Sequence, residues 1–165
     1  MNTSTAASPV RWQSLQKAKM DLELNDSWFN AESDSPDNFF MIRGRDNLKN
    51  FIDSAHYNDR IEIIWLFSHN GNLSYPKDEE AELMEKFEES LIESLESDLH
   101  SILSFVYTGN DQRIWHWYTK SFPDFGARLN NALSEFDKLP LQIKRIHEPD
   151  WDEYVEMMKG CGLYE

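Results

Sequence analysis

From Leu83 onward an apolar residue returns at every fourth position, as Leu83, Phe87, Leu91, Leu95 and Leu99, and Met84 and Ile92 widen the stripe. This spacing predicts an amphipathic helix with one long buried face, running from Asp78 to about Leu99. Glu82, Glu85, Glu89, Glu93 and Glu96 line the opposite side. Tyr75-Pro76 followed by Asp78, Glu79 and Glu80 supplies the start, with carboxylates in the first turn where the helix dipole favours them. A stripe of that length needs a sheet or other helices to cover it.

The flanking segments supply the sheet. Ile61 to Phe67 is an apolar run of strand length, bounded by Asn58-Asp59 and by the turn Asn70-Gly71-Asn72. Ser101 to Tyr107 and Gln112 to Thr119 are β-branched and aromatic, and Thr108-Gly109-Asn110-Asp111 between them suits a tight hairpin. Pro123 to Lys138 is a second amphipathic helix, with Phe125, Leu129, Leu133 and Phe136 on one face, and Leu139-Pro140 ends it. Leu141 to His147 is expected as a last strand. Asp150 to Met158 is expected as a last helix, with Trp151, Tyr154, Val155 and Met158 facing inward.

From Arg60 to His147 the order is strand, helix, strand, strand, helix, strand. This is the split βαβ arrangement of ferredoxin-like domains, so the expected fold is α+β, with a βαββαβ core over about 60–148. One antiparallel sheet with helices on one face is expected, extended or covered by N-terminal strands and a C-terminal helix. Upstream, residues 1–10 read as a flexible tail and 11–165 as a single α+β domain. Trp12 to Leu24 reads as a short helix and Asp26 to Asn38 as an Asn/Asp/Ser-rich loop around Trp28 and Phe29. Phe39 to Arg43 reads as a strand ending at Gly44, and Asp46 to His56 as a short helix.

Charge narrows the partners. The 165 residues carry a net charge of -14 and a pI near 4.7, which opposes nucleic-acid phosphates and anionic lipid headgroups. Ten acids and one base fall between Asp78 and Asp98, and six acids and one base between Glu148 and Glu165, so these two segments hold the whole net charge. An acidic outer face solvates a helix well. It also steers a basic protein, such as a nuclease or a basic tail, into contact. The single cysteine, Cys161, allows no internal disulfide, and no apolar leader or span occurs, so a cytoplasmic protein is expected.

Chemistry-bearing motifs are sparse. The histidines His56, His69, His100, His116 and His147 show no metal-ligand spacing, and no phosphate-binding or nucleophile-elbow motif occurs, so neither cofactor nor metal is expected. His69, His116 and Asp111 are the titratable residues best placed for a small enzyme or ligand binder with a pocket at the strand ends. Trp115 and Trp117 share one strand face and offer a partner-docking or base-stacking surface, although Arg113 and Lys120 at the two ends of the strand are too thin a basic flank for an RNA-binding sheet.

Arg60-Ile-Glu-Ile-Ile-Trp-Leu-Phe67, Asn70-Gly71-Asn72, Tyr75-Pro76-Lys-Asp-Glu-Glu80, Trp115-His-Trp-Tyr118 and Glu148-Pro-Asp-Trp-Asp-Glu-Tyr154 together resemble the bacterial family called domain of unknown function 695 (DUF695). The resemblance covers most of Phe39 to Met158, and the Asp26 to Asn38 stretch departs from the family's expected pattern. Some members look to be joined to domains similar to the regulator of ribonuclease E activity B, an acidic protein that inhibits by binding. By that fold-level analogy the resemblance favours a binder over an enzyme. The localised charge leads to the expectation of a non-enzymatic interaction module, a regulator or nuclease-neutralising immunity protein, with Glu82, Glu85, Glu89, Glu93 and Glu96 and the strand tryptophans Trp115 and Trp117 as its partner-binding residues.

Overall fold

The structure is a computed structural model that describes residues 22–33, 35–68 and 75–164. The tail at residues 1–10, most of the expected helix at Trp12 to Leu24, and the Asn70-Gly71-Asn72 turn lie outside them.

Six strands form one antiparallel sheet: β1 (Trp28–Glu32), β2 (Phe40–Arg45), β3 (Asp59–Leu66), β4 (Ser101–Gly109), β5 (Gln112–Thr119) and β6 (Leu141–His147). Their spatial order is β1-β2-β4-β5-β3-β6. Four helices accompany them among the described residues: α1 (Lys49–Asp53), α2 (Asp78–Leu91), α3 (Phe122–Leu133) and α4 (Asp152–Gly160). The Asn/Asp/Ser-rich segment read as a loop contains β1, which pairs with β2 in the register Trp28 to Arg45. The expected hairpin is present, and its tip residues Asn110 and Asp111 have φ of 51° and 58°, the left-handed conformation that a two-residue turn needs.

Helices cover both faces of the sheet, not one as expected. α2 and α3 pack on Ile61, Ile63, Trp65, Leu103, Trp115 and Trp117. α1 and α4 pack on the opposite face against Ile102, Phe105 and Tyr118, adding Phe51, Trp151, Tyr154 and Met158. The near-continuous apolar runs of β3 and β4 answer to this, because a strand buried on both sides loses its polar alternation. β4 serves both layers through a bulge between Leu103 and Phe105, where one extra residue reverses which face the side chains take.

α2 is shorter than its sequence pattern. After Leu91 the chain winds through a π-helical turn, Ile92–Glu96, and Leu99 lies in left-handed backbone at φ 59°. In that wider turn positions five apart align, so Glu96 comes round beneath Leu91 to the buried side. Leu83 faces outward at 37 % exposure, and Met84 takes its place in the core. α3 starts as its sequence announces: the Ser121 hydroxyl caps it by accepting from the Asp124 N–H, with Pro123 in the first turn.

Candidate functional site

Two surfaces carry clusters of charged and polar groups. The first is the outer side of α2. Of the ten acidic residues from Asp78 to Asp98, six are exposed along α2 and its π-turn: Asp78, Glu79, Glu82, Glu85, Glu89 and Glu93. Each of the other four has a partner within the fold, although Asp98 itself stays exposed. Glu80 accepts from the Trp65 indole N–H at 3.1 Å, and Glu88 accepts from that of Trp115 at 2.9 Å and pairs with Arg43. Asp98 takes both terminal nitrogens of Arg128 at 2.8 Å, and this hydrogen bond holds its carboxyl down at about 2.

Glu96 is the fourth, and it corrects an expectation. It is 7 % exposed, accepts from Arg45 Nη2 at 2.8 Å and from the Leu103 N–H at 3.0 Å, and so bridges the π-turn to the bulged strand. A carboxylate spent on a buried guanidinium cannot steer an outside partner. Trp115 and Trp117 are corrected likewise: both are fully buried under α2 and α3, so neither indole offers a docking or stacking surface. A cleft of about 540 Å³ runs between α2 and the β1-β2-β4 strands, with Glu82 and Glu85 on one wall and Arg43 and Arg113 on the other. Burial pulls the Arg113 guanidinium down.

The second surface lies on the α4 face. At its centre Arg60, 6 % exposed, donates through Nη1 to Glu62 Oε1 at 2.6 Å and through Nε to Glu148 Oε2 at 3.1 Å. The Tyr118 hydroxyl donates to the same Glu148 oxygen at 2.6 Å, and burial with this bond pushes the phenol far above its ordinary range. Trp151 stacks on Tyr118 with centroids 3.9 Å apart, and its indole N–H donates to the Tyr57 carbonyl at 2.9 Å. These contacts hold Trp151 in left-handed backbone at φ 55°, at the N-cap of α4.

Arg60 Nη1 also lies 3.3 Å from His116 Nδ1. A guanidinium only donates, so Nδ1 must accept, and the ring proton sits on Nε2. Burial, helped by the Arg60 charge, drives His116 down to about 3, so the ring is neutral at physiological pH. It stacks on Phe105 with centroids 3.9 Å apart and planes within 11°.

Beside this ring opens a cavity of about 600 Å³ between the sheet and α4. Phe105, Tyr107, Ile114 and Ile42 form its floor, and Met157 and Cys161 its wall. Glu32, Glu62, Glu153 and Glu156 stand around it, and among the described residues no lysine or arginine lines it. Its volume and apolar floor fit a small molecule. His116 Nε2–H supplies a donor to it, since no described residue accepts that proton. Burial pushes the Cys161 thiol up, away from the nucleophilic thiolate.

The expected trio of His69, His116 and Asp111 is not assembled: His69 lies outside the described residues, Asp111 sits at the hairpin tip, and His116 sits mid-sheet opposite Glu62. Arg60, Glu62 and Glu148 went unnoticed as site residues. The signal for them was present, as charged residues inside or beside apolar runs. No group of three or more His, Cys, Asp and Glu able to hold a metal ion occurs among the described residues, and no described helix is long and apolar enough to cross a membrane.

No curated protein and no solved structure matches the chain. A family model does match, over residues 26–158, and its span takes in β1, so the Asp26 to Asn38 stretch that departs from the expected pattern falls within the match. That span covers all six strands and ends inside α4. The chain therefore belongs to DUF695, a family of unknown function.

Proposed function

We propose that this chain is a non-enzymatic interaction module that presents the outer face of α2 to a basic protein, as a regulator or a nuclease-neutralising immunity protein. The carrying observation is the row of six exposed carboxylates from Asp78 to Glu93 along α2 and the π-turn that continues it. One-sign charge over that length raises the encounter rate with a cationic surface. Glu82, Glu85, Glu89 and Glu93 remain the proposed contact residues, and Glu96, Trp115 and Trp117 drop out because they are buried. The β4-β5-β3-β6 order of the central strands supports a ferredoxin-like core within the larger sheet.

The test uses wild type and a Glu82→Lys, Glu85→Lys, Glu89→Lys triple variant as baits. A basic protein retained by wild type alone is then purified and titrated at low and high salt. Affinity that falls steeply with salt supports the proposal. Affinity indifferent to salt, or equal for the triple variant, overturns it.

The cavity beneath α4 favours a second reading, a ligand-binding domain, because an apolar floor and a few convergent polar groups are what small-molecule sites use.

A further inference from the structure

We propose that the cavity between the sheet and α4 is a site for a small organic cation with an aromatic or aliphatic body, the charged end at the carboxylate rim and the body on the Phe105 and Ile114 floor. The inference rests on the second reading above and gives it a ligand class.

Charge is the first ground. Arg60 brings one positive charge to the inner end and shares it between Glu62 and Glu148, so that trio carries a formal charge of minus one. Glu32 from β1 and Glu153 and Glu156 from α4 add three carboxylates at the mouth. Lys159 does not line the cavity but pairs with Glu156 at 3.8 Å, which leaves the mouth a formal charge of minus two. Low-dielectric walls strengthen the pull of such a rim on a cation.

The floor is the second ground. Phe105, Tyr107 and Phe40 offer aromatic surface, which attracts a desolvated cation as well as an apolar body. His116 is the third. It is 4 % exposed, borders the cavity, and has its ring proton on Nε2 with no described acceptor. A ligand oxygen at the inner end meets that need, whereas a second cation there would face Arg60. The polarity of the site is therefore directional, with a hydrogen-bond acceptor inside and positive charge outside.

Three probes of one shape separate the possibilities: tyramine (cation), tyrosol (neutral) and 4-hydroxyphenylacetate (anion), each titrated into the full chain by calorimetry. Tyramine is expected to bind at least about tenfold more tightly than tyrosol, with no measurable binding of the anion. A Glu32→Gln, Glu153→Gln, Glu156→Gln variant changes only exposed side chains and is expected to remove that preference. Ile114→Trp, which fills the floor, is expected to abolish binding. Equal affinity for tyramine and tyrosol, or an unchanged triple variant, overturns the cation class while leaving the cavity a ligand site. Failure of all three probes on folded wild type overturns the site and the second reading together.

Discussion

Arg60 donates to His116 Nδ1 across 3.3 Å, so burial first and then a permanent cation hold this histidine in its neutral form. The pairing fixes the tautomer, and it makes the fold sensitive to acid.

The sign follows from linkage. An unfolded histidine takes up its proton near 6.5, whereas burial and Arg60 keep His116 neutral down to about 3. Between those values the unfolded chain binds more protons, so the stabilising contribution is whole above pH 6.5 and is lost as pH falls. His116→Gln keeps an acceptor for Arg60 but loses the Phe105 stack, at about 1 kcal/mol near pH 7. Urea unfolding at pH 7, 6 and 5 is expected to show the gap between wild type and variant closing and then reversing by pH 5, at up to about 1.4 kcal/mol per unit below 6.5. Parallel pH profiles would show that His116 protonates freely in the fold.

Glu148 accepts from Arg60, from the Tyr118 hydroxyl and, at 3.3 Å, from the Glu153 N–H, which ties α4 to the sheet. Glu148→Ala leaves a buried guanidinium and a buried phenol without that acceptor, and is expected to cost about 3–5 kcal/mol in chemical denaturation. Glu153→Ala, one turn away and exposed, is expected to stay within about 0.5 kcal/mol.

The acidic helix separates in the same way. Glu96→Ala strands Arg45, which is 3 % exposed and whose Nε and Nη1 already lack partners, so a loss of about 3–5 kcal/mol is expected. Glu89→Ala removes an exposed carboxylate from a crowded row and is expected to change stability by less than about 0.5 kcal/mol in either direction. Similar thermal shifts for the two would contradict the inward turn of Glu96.

Gly44 on β2 lies opposite Phe29 on β1, and a methyl group at Gly44 would overlap the end of the Phe29 ring. Gly44→Ala is expected to lose about 1–3 kcal/mol by displacing that ring. In Phe29→Ala the obstruction is gone, so the same Gly44→Ala change should cost much less. A double-mutant cycle from denaturation midpoints measures the coupling, and strict additivity would exclude the contact.

Legibility in the sequence varied with the range of the information. β3, β5 and β6 and the hairpin tip were readable to within about two residues, because apolar runs and turn chemistry are local. β1 was missed because Trp-Phe-Asn-Ala-Glu is a short edge strand without alternation, seated among turn-forming residues. The six exposed carboxylates were visible as a block of charge. Glu96 was not separable from its neighbours, since the π-turn that inverts it leaves no mark in the residue spacing.

What the sequence by itself determined is the elements from β2 to α4, their order and the place of the acidic charge, all properties of nearest neighbours along the chain. Only the tertiary structure decided that Trp115 and Trp117 face α2 and α3 while His116 and Tyr118, which alternate with them, face α4. Alternation says that neighbouring side chains part ways, but which side is buried under what depends on the helices packed on each face. The cavity is the extreme case. Its walls come from β1, β2, β3, β4, β5 and α4, and chain segments more than 120 residues apart, Glu32 and Glu156 among them, meet only when packing brings them to one rim.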